Sequence, residues 1–310
     1  MTATGTIDPD LIELIQSLAD RGWSSKDFAS NHLGYAASLC LGAESDPARI
    51  SFAKYWRSVA KITGILRDAG VFHVIIKTRR NYPYGDTNVD VFIEEADWPR
   101  VRDLLCGDSW RMPSRMVKFK QRMIEREKIK LPPTSEDLVP AHMYMAVSWR
   151  YQREVSFLDD QMIEDIPLAW EAPQLEAECG PVMVPVPTRD ADILLHCAEI
   201  VFENYRIALG EVLYLSWLME RVSEDQKDRV SRLGADRGAV RAMRCALSHA
   251  RVGNLDAHWP KNLPAGELLA SWGERFKVQV GQGKPVKALE EWLGYTAFAS
   301  MYRVKRSLFR

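Results

Sequence analysis

The stretch VIIKTRRNYPYGDTNVDVFI, residues 74–93, decides how the rest of the chain is read. An apolar run carrying one lysine, Val74 to Lys77, leads into a polar, turn-rich segment. That segment opens into a second apolar run in which Asn88 and Asp90 stand two positions apart. Residues i and i+2 of a strand share a face, so both oxygen-bearing side chains project together from the rim of a sheet. The link between the two runs is too short for a crossover helix, which predicts an antiparallel pair.

Working outward, the preceding residues read as helices. An apolar stripe from Leu11 to Leu18 predicts a helix over 7–23, capped by Asp8 or Asp10. A second helix is expected over roughly 25–42 and a third over roughly 48–69, ending at Gly70. The third carries Phe52, Tyr55, Trp56, Val59 and Ile62. After the second strand, the acids Glu94, Glu95 and Asp97 followed by Pro99 mark a helix start, and that helix runs to Leu105 or Cys106. Residues 111–130 are locally basic. A strand is expected over 138–149 and a short one over 153–158, the two pairing as a hairpin. From Thr188 the pattern is helical: about 189–206, 209–222, 226–252, and a last helix from Leu289. The expected organisation is N-terminal helices over 1–46, an α+β domain over 47–171, a Pro- and Glu-rich linker over 172–187, and an all-helical domain over 188–310.

Composition bounds the function. The 310 residues carry a formal charge of -1, so no broad basic footprint for nucleic acid is present. The five cysteines are scattered without a CxxC pair, which points to reduced thiols in a cytoplasmic protein and away from a zinc site. No basic-then-apolar leader opens the sequence and no run is long enough to span a membrane. P-loop, dinucleotide-binding, nucleophile-elbow and zinc-protease signatures do not occur.

The segment from Lys77 to Asp90 holds the parts that phosphoryl and nucleotidyl transfer require, where the protein mostly positions groups and neutralises charge. Lys77, Arg79 and Arg80 are candidate phosphate clamps, and Gly85 would let backbone approach phosphate. Asp86, Asn88 and Asp90 are candidate oxygen ligands for Mg²⁺ or Mn²⁺, a cation that suits hard oxygen donors and NTP phosphates. His142 is a candidate general base or substrate contact on the neighbouring strand, and Glu154 is a further candidate metal ligand. His196 and Glu211, on apolar helices, read first as satisfied core groups.

The stretch IKTRRNYPYGDTNVDVFIEEADWPRVRDLL resembles the core motif of the nucleotidyltransferase superfamily, and within it the uncharacterised nucleotidyltransferase-like proteins. Those proteins show an apolar strand ending in Lys-Gly or Lys-Thr, a variable turn, Asp-x-Asp heading an apolar strand, then a helix. The segments HMYMAVSWRYQREVSFLDD and VPVPTRDADILLHCAEIVFENYRIALGEVLYL are similar to later parts of the same family. The resemblance implies a small mixed or antiparallel nucleotidyltransferase-like sheet flanked by helices, with a helical C-terminal domain. It implies magnesium- and nucleotide-dependent transfer from an NTP such as ATP to a small-molecule or protein acceptor.

Two positions depart from the family pattern. Asn88 stands where the first carboxylate of Asp-x-Asp belongs, and Pro140-Ala141 stand where a third acid is due before His142. These departures support the alternative of a catalytically degenerate member that binds a ligand or partner, or runs another reaction in the same cleft. A further alternative is a nucleotidyltransferase-type toxin acting on tRNA or protein, supported by the basic stretch 111–130.

Overall fold

A computed structural model describes residues 7–42, 47–113, 128–144, 162–166, 182–250, 259–294 and 296. The first helix, α1 (Pro9–Asp20), starts where Asp8 accepts the backbone N–H of Asp10 and Pro9 occupies the first turn. The expected single helix over 25–42 is two: α2 (Ser25–Ser30) and α3 (Gly34–Cys40). Ser24 and Asp27 form a reciprocal capping box at the start of α2. Between the two helices His32 takes a left-handed backbone, φ 62°, which breaks the helical run.

The long helix α4 (Pro47–Asp68) buries Phe52, Tyr55, Trp56, Val59, Ile62 and Leu66. It is followed by strands β1 (His73–Ile76) and β2 (Val89–Ile93), which pair antiparallel as their short connection requires. A 3-10 turn over Glu95–Asp97 leads into α5 (Trp98–Asp108). Strands β3 (Lys128–Leu131) and β4 (Ala141–Tyr144) complete a four-stranded mixed sheet of order β1-β2-β4-β3. β4 runs parallel to β2 and antiparallel to β3. Of the hairpin expected between 138–149 and 153–158, Ala141–Tyr144 pairs instead with β2 and β3, and 145–149 and 153–158 lie outside the described residues.

The sheet has two faces of different chemistry, set by strand alternation. One face presents Ile75, Val91, Met143 and Leu131 to the core formed with α4 and α5. The other carries Asp90 and His142, paired across β2 and β4, with Phe92 and Tyr144 in the next row. Strands β5 (Met162–Ile166) and β6 (Val182–Val186) form a separate antiparallel pair. Val184 and Val186 enter the same core, so the stretch expected as a 172–187 linker ends in a buried strand.

Two compact units divide the chain, one of Met1–Ser148 with Arg153–Thr188 and one of Trp149–Gln152 with Arg189–Arg310. The N-terminal helices belong to the sheet's unit rather than forming a region of their own. Tyr35 of α3 stacks on Phe52 of α4 with ring centroids 3.7 Å apart.

Among the described residues, the second unit is helical with one exception. It holds α6 (Arg189–Glu199), a π turn over Ile200–Asn204, α7 (Leu209–Arg221), α8 (Glu224–Asp236), α9 (Val240–His249), α10 (Ala265–Gly281) and α11 (285–294). The exception is a two-residue ladder between β7 (Arg206–Ile207) and β8 (Lys261–Asn262), so the unit is not strictly all-helical. The expected helix over 226–252 breaks at Gly238, where φ is +64° and a Cβ would lie 2.6 Å from the Arg275 backbone. Only glycine fits that crossing.

His73 opens β1 inside the first unit. Its Nδ1–H donates to the Val71 carbonyl at 2.9 Å, leaving Nε2 as a buried acceptor with no hydrogen-bond partner among the described residues. Burial holds its pKa below the ordinary 6.5. The folded form binds the proton less well than the unfolded chain, so stability is complete above about pH 6.5 and falls as pH drops below it. Urea midpoints measured at about pH 7.5 and about pH 5.5 should show this loss in the wild type and a flatter dependence in His73→Gln.

Candidate functional site

The register brings the candidate residues to one end of the sheet. Ile76, Asp90, His142 and Lys130 form one row across the four strands. Lys77 follows the end of β1 with a left-handed backbone, φ 66°. Such a conformation costs a non-glycine residue about 1–2 kcal/mol and needs compensation. Lys77 has it: Nζ lies 3.0 Å from Asp90 Oδ2 and 5.5 Å from the centre of the Tyr144 ring.

Asp90 is buried, with 5% of its surface exposed, and its carboxylate meets Lys77, Asn88 and His142 among the described residues. Oδ2 faces the Lys77 ammonium. Oδ1 accepts the Asn88 side-chain amide at 2.9 Å and faces His142 Nδ1 at 3.2 Å. A buried carboxylate is tolerated only when so partnered. With Nδ1 held by Asp90, the imidazole presents Nε2 as its other functional atom. The sheet therefore brings Lys77, Asn88, Asp90 and His142 together as a single charge-compensated cluster.

The turn over 78–88 is fastened to α4. Tyr55 Oη and Thr78 Oγ1 are 2.7 Å apart, and the Trp56 indole N–H donates to the Tyr84 carbonyl at 3.0 Å. Burial, reinforced by the nearby charges of Asp86 and Asp90, pushes the Tyr55 phenol well above its usual range. Tyr84, also buried and beside Asp86, is pushed up likewise and donates its hydroxyl to Asp86 Oδ2 at 2.6 Å.

Several candidate residues acquire roles other than those expected. Asp86 is engaged locally, accepting from Tyr84 and from the Thr87 N–H at 2.6 Å. Arg79 is buried and donates through Nη2 to the Pro187 carbonyl at 2.9 Å, a tie within the fold. Arg80 lies over the Tyr84 ring at 4.6 Å. Gly85 answers to packing: a Cβ there would lie 2.9 Å from Phe52 Cα, so glycine lets the turn touch helix α4. Glu154 lies outside the described residues. Of the basic stretch 111–130, residues 114–127 also lie outside them, while Lys128 and Lys130 belong to β3.

In the helical unit, His196 Nε2 lies 3.5 Å from Asp192 Oδ1, and the Tyr214 hydroxyl donates to Asp192. Glu211 caps α7 by accepting the Ala208 N–H at 2.6 Å. Both are buried core groups.

The described residues do not fit a Mg²⁺ centre on this sheet. Asp90 contributes the cluster's one carboxylate, and a cation already sits on its Oδ2. Asn88 turns its N–H₂, not its carbonyl, toward the acid, as an acceptor-only carboxylate demands. Among the described residues, no three acid, histidine or cysteine ligand atoms converge here. Sequence reading missed Tyr55, Trp56, Thr78 and Tyr84, which shape the turn, and Lys130, which joins the row of Asp90 and His142.

No protein-family model matches this chain, and no curated protein matches it. No helix among the described residues is long and apolar enough to cross a membrane.

Two substitutions test this construction. Lys77→Met should destabilise by about 3 kcal/mol, because it strands a buried carboxylate. Pairing it with Asp90→Asn should recover much of that loss in a urea double-mutant cycle. Gly85→Ala should cost about 1–3 kcal/mol in the same assay, since the new methyl meets backbone and not a movable side chain.

Proposed function

We propose that this chain is a nucleotidyltransferase-like protein whose cleft has departed from two-metal transfer. In this reading it binds a phosphate-bearing ligand, a nucleotide in the first instance, without requiring a divalent cation. The observation that carries the proposal is the state of Asp90. The residue expected to anchor Mg²⁺ is committed to Lys77, Asn88 and His142.

The chemistry that remains is still useful. Lys130 stands beside His142 in the register and adds a positive charge to this end of the sheet, while the Lys77 ammonium offsets the Asp90 carboxylate. An anionic ligand would gain from that charge. The carboxylate of Asp90 fixes the orientation of His142, the same division of labour by which an acid holds a histidine tautomer in proton-transfer sites. Any acid–base step in the cleft would pass through His142, with Asp90 as its positioning residue.

Calorimetric titration with ATP, CTP, GTP and UTP, with and without Mg²⁺, tests the reading. The expected outcome is nucleotide binding that is insensitive to Mg²⁺ and weakened in Lys77→Met. Binding that requires Mg²⁺ and disappears in Asp90→Ala would reject it in favour of metal-dependent transfer, with Glu154 the acid to examine next. Silence toward all four nucleotides under both conditions would remove nucleotides as the ligand class.

A further inference from the structure

Helices α9 and α10, in the helical unit, bring a thiol, an imidazole and a carboxylate to one point. Cys245 and His249 stand four residues apart in α9 and therefore share a face. Glu267 lies in the first turn of α10, which packs against α9. One ligating atom from each of the three lies within 4.8 Å of the others. We propose that Cys245, His249 and Glu267 form a binding site for a zinc-class divalent cation, with the remaining position open to water or a small ligand.

The geometry agrees with that chemistry. Two ligands each about 2.1 Å from a tetrahedral zinc stand about 3.4 Å apart. His249 Nε2 and Glu267 Oε2 are already 3.3 Å apart. The donor set of thiolate, imidazole and carboxylate suits zinc and its transition-metal neighbours rather than Mg²⁺ or Ca²⁺. Three protein ligands with an open position is the pattern of a site that keeps an exchangeable water.

Burial is graded across the cluster. Cys245 is 5% exposed, whereas the side chains of His249 and Glu267 are 31% and 46% exposed. The sulfur thus forms the floor, and the other two ligands form an entrance that a hydrated cation can reach. Without metal, burial and the adjacent Glu267 push the Cys245 thiol up to about 12, so it keeps its proton. Metal binding replaces that proton: the sulfur–hydrogen bond breaks, the sulfur–metal bond forms, and the proton passes to solvent. Thiolate and carboxylate together then balance the charge of a divalent cation.

The supporting helices are held by contacts that do not involve the cluster. The Arg241 N–H donates to Glu274 Oε2 at 2.7 Å, and Arg275 Nη1 donates to the Arg237 carbonyl at 3.1 Å. The ligands are therefore presented by a pre-set helix pair, which lowers the ordering cost of binding.

A tag-free, reduced full-length chain titrated with Co²⁺, followed by Zn²⁺ competition, tests the proposal. The expected result is a stoichiometric thiolate-to-cobalt charge-transfer band that Zn²⁺ bleaches and Cys245→Ser abolishes. His249→Ala, at an exposed helix end, should keep the fold and weaken Co²⁺ binding at least about tenfold. Absence of the band at stoichiometric Co²⁺, or a band unchanged by Cys245→Ser, overturns the proposal. Should Cys245→Ser fail to fold, His249→Ala and Glu267→Gln decide: wild-type Co²⁺ affinity in both also overturns it.

Discussion

The sheet unit depends on a helix that does more than bury apolar surface. Helix α4 supplies aliphatic and aromatic packing along one face, and from the same face it offers polar groups to backbone that no strand satisfies. The Ser58 hydroxyl accepts the Val139 N–H at 2.9 Å just before β4 begins. The Trp56 indole holds the Tyr84 carbonyl, and Tyr55 meets Thr78. A buried backbone group left without a partner costs about 1–3 kcal/mol, so the bonds to Val139 and Tyr84 help hold the turn and the approach to β4. The parallel β2–β4 register then sets Asp90 opposite His142.

Charge compensation governs the end of the sheet in turn. A carboxylate at the start of an apolar strand must find donors or forgo burial. Here it finds an ammonium, an amide and an imidazole from three different segments. The same commitment that stabilises the acid removes it as a ready metal ligand. Structural satisfaction and metal-dependent chemistry compete for the same two oxygen atoms, and in this chain the protein's own donors hold both.

Much of this was legible in the sequence. Strands β1 and β2, their antiparallel pairing and the helices on either side follow from apolar periodicity and from the shortness of the 77–88 connection. The nearness of Asn88 and Asp90 followed from strand alternation. What escaped were features that depend on tertiary contact. The alternation Lys128-Ile129-Lys130-Leu131 is a strand signal, but the charge of the surrounding stretch masked it. Gly85 reads as a phosphate-approach residue until Phe52 is seen against it. The pairing of β4 with β2 rather than with a following hairpin partner is a non-local choice that no local pattern encodes. Cys245 and His249 carry a Cys-x-x-x-His spacing that suits one helix face, yet Glu267 comes from a separate helix and completes the group only in three dimensions.

The left-handed backbone at Lys77 has a consequence for how this sequence can drift. Glycine at that position would relieve about 1–2 kcal/mol of conformational strain. It would also strip the ammonium from Asp90, at a cost of about 3 kcal/mol or more. Neither change is tolerable first on its own terms: replacing the lysine strands the acid, and replacing the acid leaves a cation strained for no return. Positions 77 and 90 are thus energetically coupled, and changing both together costs less than the two single changes would suggest.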